Sequence, residues 1–208
     1  MFDGLRRQLD ERDIARNAVL LPGDTGEPQQ GALTLREQES GFELATIDYG
    51  RTVPLAVEDS AEAAAQRLLA YLDQPLPEPR TMSAPDFQAL VAAAEHHLAD
   101  LRTRLADAGR LLIRIPADLA LDRIGVLDGV FLFSAGTSVE ARALPPTALA
   151  DGAALHRFVT AREVLANVEL VQPWFGQPGG AIRFALADDF LGIRDLVASG
   201  TLSRVEVA

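Results

Sequence analysis

Residues 74 to 86, QPLPEPRTMSAPD, hold four prolines in 13 positions. Each proline removes a backbone donor and fixes φ, and each biases the preceding residue away from helix, so no regular element is expected to run through this segment. The chain is therefore expected to fold as two units. The first spans 1–73, a proline-rich linker spans 74–85, and the second unit spans 86–208. With 208 residues, 48% of them hydrophobic, there is enough apolar material for a core in each.

In the first unit, residues 3 to 16 read as a short charged helix with Leu5, Leu9 and Ile14 on its apolar side. The turn-forming LPGDTGEPQQG follows. Three extended runs come next, ALTLREQES, GFELATIDYG and RTVPLAVED, parted by Ser-Gly and Gly-Arg junctions that suit tight hairpins. Asp59 and Glu62 have capping-box spacing, and Ala61, Ala65, Leu68 and Leu72 then share a helical face that ends near Asp73. The unit reads strand, strand, strand, helix.

The second unit opens with a long helix, Asp86 to Ala108. Leu90, Ala94, Leu98, Leu101 and Leu105 form its stripe and Gly109 suits its C-terminal cap. RLLIRI, VFLFSAG, ALHRFVTA, VELVQPW and AIRFAL are strand candidates. A last helix is expected near Asp188 to Ala198, before a final strand in SRVEV. Strands and helices do not alternate one for one, so the expected class is α+β rather than a doubly wound sheet.

Composition removes whole classes of chemistry. There are no cysteines, which excludes disulfides, thiol nucleophiles and thiolate metal sites. All 19 basic residues are arginine, which excludes Schiff-base catalysis and a lysine-bearing phosphate loop. A net charge of -11 would repel a nucleic-acid backbone. The start of the chain has no apolar signal-peptide run, and no stretch approaches a membrane span, so no membrane partner is expected. Those features predict a cytoplasmic protein or one exported by a non-classical route.

Several titratable residues have unremarkable readings. His96 and His97 lie on the long helix, where only one can share a face with Asp100, and that is too few ligands for a metal. Asp188 and Asp189 sit where a helix begins and suit its capping. His156 stands apart in LHRFV, where alternation places it beside Phe158. The loop VQPWFGQPGG holds the single tryptophan, Trp174. Its glycines do not fit a dinucleotide fingerprint and no helix follows, which disfavours a Rossmann site. The loop offers rigidity at Pro173 and Pro178 and close backbone approach at Gly179 and Gly180. It reads either as a tight connection anchored by a core Trp or as one wall of a pocket.

The stretches LDRIGVLDGVFLFSAGTSVEARALPP, LHRF, VQPWFGQPGG and DLVASGTLSRVEV stand in one order over about residues 118 to 208. Together they resemble the tuberculosis necrotizing toxin (TNT) family of NAD+ glycohydrolases. The resemblance implies a TNT-like α+β domain with a mainly antiparallel sheet, here behind a small accessory domain. It also implies metal-free hydrolysis of the bond between nicotinamide and ribose, with NAD+ or NADP+ as substrate and no cofactor. The family's arginine in DRxG falls on Arg123, its aromatic eight residues later on Phe131, its histidine on His156, and its glutamine after the PWF loop on Arg183. Trp174, Phe175, Gln177, Gly179 and Gly180 are implied to contact substrate, and Gln177 is a candidate to replace the missing glutamine.

Arg183 is the main departure. Positive charge develops on the ribose as nicotinamide leaves, and an arginine about 5 Å away would oppose it by roughly 3 kcal/mol at an effective dielectric of 20. The same guanidinium suits a pyrophosphate clamp. Alternation places Arg183 between Ala181 and Ala185 on one face of its strand, with room around it. Three readings follow: a clamp in a working glycohydrolase, the mark of a dinucleotide-binding or protein-interaction module that has lost turnover, or an ion pair on the solvent side. An active enzyme kept inside its own cell would also call for an inhibitory or immunity partner.

Overall fold

Alternation and turn chemistry sort the chain into two sheets, which the computed structural model describes over residues 2–149 and 153–208. The first part runs α1 (Asp3–Glu11), β1 (Val19–Leu20), β2 (Ala32–Gln38), β3 (Gly41–Asp48), β4 (Arg51–Glu58) and α2 (Ala61–Leu72). Its strands lie in the order β1-β2-β3-β4, with β1 parallel to β2 and the rest antiparallel. Leu5 and Leu9 of α1 and Ala64 and Leu68 of α2 close its core over Leu33, Leu35, Leu44 and Leu55.

Three local expectations change here. Helix α1 stops at Glu11, because Asp13 takes a left-handed conformation (φ 54°), yet Ile14 still packs on the core from the loop. Helix α2 is capped by Ser60, whose hydroxyl accepts from the Ala63 N–H, rather than by Asp59. The strand β1 adds a parallel edge.

The proline-rich segment is not wholly irregular as expected. Arg80–Met82 forms a short strand, β5, at the edge of the second sheet. Pro75, Pro77 and Pro79 precede it and Pro85 falls in the first turn of the next helix, so no proline interrupts the ladder. That helix, α3 (Ala84–Ala108), starts two residues early because the Ser83 hydroxyl caps it by accepting from the Asp86 N–H. Gly109 takes the C-terminal cap as expected.

The second part continues β6 (Arg110–Ile115), β7 (Ala120–Gly125), β8 (Phe131–Ser134), α4 (Val139–Arg142), a 3-10 turn (Pro146–Leu149), β9 (Ala154–Thr160), β10 (Val164–Leu170), β11 (Ile182–Leu186), α5 (Ile193–Ala198) and β12 (Leu202–Val207). The sheet order is β5-β12-β9-β7-β8-β11-β10-β6, antiparallel throughout except for the β5–β12 pair. The class is α+β, with a small four-stranded sheet and a larger, mostly antiparallel one. Strand β7 was not expected, since its adjacent Asp122 and Arg123 hide the alternation; both are buried. Helix α5 begins at Ile193, with the Asp195 carboxylate accepting from the Gly192 N–H, so Asp188 and Asp189 do not cap it.

The larger sheet has two unlike faces. One packs Leu121, Leu132, Phe158, Val168 and Phe184 against Leu101 and Leu105 of α3 and Val197 of α5. The other gathers Phe131, Phe133, Leu144 and Ala185 under Tyr49, which comes from the β3–β4 turn of the first sheet.

Candidate functional site

Strand register decides which charged residues share a side. Arg183 in β11 stands opposite Phe133 in β8 and opposite Glu169 in β10, and Phe133 stands opposite Asp122 in β7. These four therefore project from one face. Arg123, the next residue in β7, turns to the other face, opposite His156 in β9. The four positions implied by the family resemblance are thus divided, with Phe131 and Arg183 on one side and Arg123 and His156 on the other.

Arg123 has no exposed surface (0%). Its Nη1 donates to Asp48 Oδ2 at 3.0 Å and to the Phe131 carbonyl at 3.1 Å, and its Nη2 donates to Asp48 Oδ1 at 3.2 Å. Asp48 Oδ2 also accepts from the Val130 and Phe131 N–H groups. Burial alone would lower the Arg123 pKa, but the charge and hydrogen bonds of Asp48 reverse this, so the guanidinium stays charged. The close fit requires glycine at 129, where a Cβ would lie 2.3 Å from Arg123 Nη1. Arg123 thus ties the end of β3 to the start of β8.

His156 is half-buried, and its Nε2 lies 3.0 Å from the Gly125 carbonyl. Burial first, and then the Arg123 charge, push its pKa below the usual 6.5. At neutral pH it is an uncharged imidazole whose Nε2–H donates to that carbonyl.

The opposite face carries a groove of about 380 Å³, lined by Tyr49, Arg51, Arg142, Glu169, Arg183 and Trp174 with neighbouring backbone. Asp48 and Arg51 flank the β3–β4 turn, where both central residues have positive φ (Tyr49 47°, Gly50 73°), as a two-residue type I′ hairpin requires. A left-handed tyrosine is strained, and its ring is held edge-on by Phe131 (5.6 Å) and Phe133 (5.5 Å). Phe131 is itself buried, forming the floor beneath the guanidinium of Arg183 at 4.7 Å and that of Arg51 at 5.7 Å.

Arg142 is fixed by the motifs around it. Its Nε and Nη2 donate to the Thr137 carbonyl at 3.0 and 2.8 Å, and Nη2 donates to Asp122 Oδ1 at 2.7 Å. The other Asp122 oxygen accepts from the Gly136 N–H. The SAGT turn therefore aims Arg142 from beneath. Glu169 Oε1 accepts from Arg183 at 2.5 Å and from Arg51 at 3.3 Å. Burial would raise the Glu169 pKa, but the Arg183 hydrogen bond and the charges of Arg183, Arg51 and Arg110 outweigh it and hold it below the usual carboxylate range.

The PWFGQPGG loop closes one end. Trp174 and Gln177 exchange backbone hydrogen bonds, and the Trp174 and Phe175 rings stack at 4.2 Å, both about half exposed (49% and 50%). The core-anchored tryptophan is therefore not what forms. Gln177 Nε2 donates to the Leu144 carbonyl, the Gly179 N–H to the Glu140 carbonyl and the Gly180 N–H to the Val171 carbonyl. Of the expected contact residues, Arg183 and Trp174 line the groove, while Phe175, Gln177, Gly179 and Gly180 build the loop behind it.

Among the described residues, three side-chain donors of groove-lining residues are buried without a hydrogen-bond partner: Tyr49 Oη, Arg142 Nη1 and Arg183 Nε. Three arginines and one glutamate line the groove of a chain whose net charge is -11. This is local chemistry for an anion with several acceptor oxygens. Sequence reasoning missed Tyr49, Arg51, Arg142 and Glu169. The RALPP motif and the single acid within VELV were the available signals for the last two.

Fold and site define an α+β domain whose mainly antiparallel sheet carries a cationic groove. The family model described as Tuberculosis necrotizing toxin matches residues 114–205. Among solved structures, the chain is similar to "Atomic structure of tuberculosis necrotizing toxin (TNT) complexed with its immunity factor IFT", with 27% identity, 49% of this chain and 51% of that chain covered, and a TM-score of 0.36. This chain thus spans about half the length of that one. No curated protein matches.

Proposed function

We propose that the chain is a TNT-like NAD(P)+ glycohydrolase, cleaving the nicotinamide–ribose bond to give nicotinamide and ADP-ribose. The observation that carries this reading is the meeting of Arg51, Arg142 and Arg183 at one groove, most of whose lining falls within the match to the TNT family model. A pyrophosphate offers acceptor oxygens to such a group of guanidiniums, and bidentate arginine contacts fix its orientation. The exposed Trp174 ring gives a flat apolar surface for a nicotinamide or adenine ring. Phe131 contributes as the floor under Arg183, and Arg123 acts through the backbone of Val130 and Phe131 rather than on substrate. NAD+ or NADP+ is substrate, and no cofactor or metal is required. An active enzyme of this kind would consume the NAD+ of its own cell, so the reading includes an inhibitory partner.

The test is nicotinamide release from NAD+ and NADP+ by the purified chain, beside Arg183→Gln. Release by the native chain sustains the proposal. A second reading, a dinucleotide-binding module without turnover, is favoured by the full burial of Arg123 and by the ion pair that occupies Arg183. Calorimetric binding of NAD+ with no nicotinamide released by the native chain is its signature.

A further inference from the structure

Arg183 brings a positive charge to a site where glycosyl cleavage develops positive charge, yet its charge is not alone. Glu169 stands directly across from it in the β10–β11 ladder, and on its other side the register places Arg110 of β6. Glu169 is the one carboxylate among the groove-lining residues described, and it is fixed by Arg183 at 2.5 Å and Arg51 at 3.3 Å. A carboxylate held between guanidiniums is ionised, oriented and costs no reorganisation when a cation forms beside it.

Resting on the glycohydrolase reading, we propose that Glu169 is a catalytic residue that stabilises the ribosyl cation, with Arg183 as the positioning residue that holds it. In the step, the bond between C1′ and the pyridinium nitrogen breaks and its electron pair leaves with nicotinamide, which becomes neutral. C1′ takes the positive charge facing the carboxylate. A water oxygen then adds to C1′ and releases a proton to solvent. Glu169 contributes no atom and takes no proton, in keeping with a carboxyl that its arginine neighbours hold deprotonated. The Arg183–Glu169 pair thus does jointly what an uncharged side chain would do without bringing a charge.

The charge argument makes a non-additive mutant series diagnostic. Glu169→Gln leaves the Arg183 charge uncompensated and should lower kcat by about a hundredfold, with KM and calorimetric NAD+ affinity changed by less than about threefold. Glu169→Gln/Arg183→Gln removes both charges and should recover about tenfold of that loss. A purely structural role for Glu169 would instead lower the melting temperature and leave kcat per folded molecule unchanged. Native-like kcat in Glu169→Gln overturns the assignment, and so does a double variant slower than the single one. If the native chain binds NAD+ but releases no nicotinamide, the glycohydrolase reading falls and this role falls with it, a result separable because it comes from the unsubstituted protein.

Discussion

The two faces of the eight-stranded sheet are built from the same strands and do opposite work. Under α3 and α5 the face is dry and mostly aliphatic, with Leu121, Phe158, Val168 and Phe184 buried against Leu101 and Leu105. On the other face, aromatic rings carry guanidiniums: Arg142 lies over Phe133 at 5.0 Å and Arg183 over Phe131 at 4.7 Å. Successive residues of one strand serve both, as Phe184 and Arg183 illustrate. The contrast shows how a small domain keeps charged groups poised: one face supplies the stability that lets the other hold unpartnered donors.

The sharpest way to break the contrast is to remove the ion pair that ties the first sheet to the second. Asp48→Ala leaves Arg123 as an unpaired buried charge and should cost about 3–5 kcal/mol in urea denaturation. A loss near zero would mean that the pair does not hold the units together. On the dry face, Phe184→Ala should cost a similar amount, about 3–5 kcal/mol, with NAD+ affinity per folded molecule unchanged. Weakened binding there would show that the faces are coupled. Gly179→Ala probes the loop at the groove's end. Its φ of 68° and a Cβ placed 2.5 Å from the Val171 carbonyl should cost about 1–3 kcal/mol.

Smaller effects follow from charge. Burial depresses the His156 pKa below 6.5, so the unfolded chain takes up a proton that the folded chain refuses. Its contribution to stability is therefore lost as pH falls from about 6.5 to the folded value and is constant outside that window. Thermal melts of His156→Gln should show a flatter pH dependence across that interval than the native chain. Arg51→Ala should be the mildest, since exposed ion pairs contribute about 0–1 kcal/mol, yet it should weaken NAD+ binding by about tenfold in calorimetry. Unchanged affinity would confine the groove's chemistry to the second unit.

The long helix, the β2–β3–β4 hairpins and the strand carrying Arg183 were legible because period and turn residues are local signals. The alternation that set Arg183 beside Ala181 and Ala185 matches the structure, where both alanines border the groove-side core. Strand β7 was hidden by its adjacent buried charges, and β5 by the prolines around it. The start of α5 was misplaced because acidic residues at Asp188 and Asp189 resemble caps, although the amide that needed a partner belongs to Gly192.

By itself, the sequence determined the class of chemistry open to this protein. Without cysteine or lysine, with arginine as its sole strong cation, and with the PWFGQPGG and DRxG stretches in order, it pointed to an α+β TNT-like domain. What only the tertiary structure decided is which arginine reaches a groove. Arg123 and Arg183 are marked alike by the family resemblance. Strand register and the Asp48 carboxylate, 75 residues away in the chain, bury the first, while Glu169 and the Tyr49–Arg51 turn hold the second at a groove. The physical reason is that the free energy of a buried charge depends on which partners long-range packing brings to it, and spacing along the chain does not encode them.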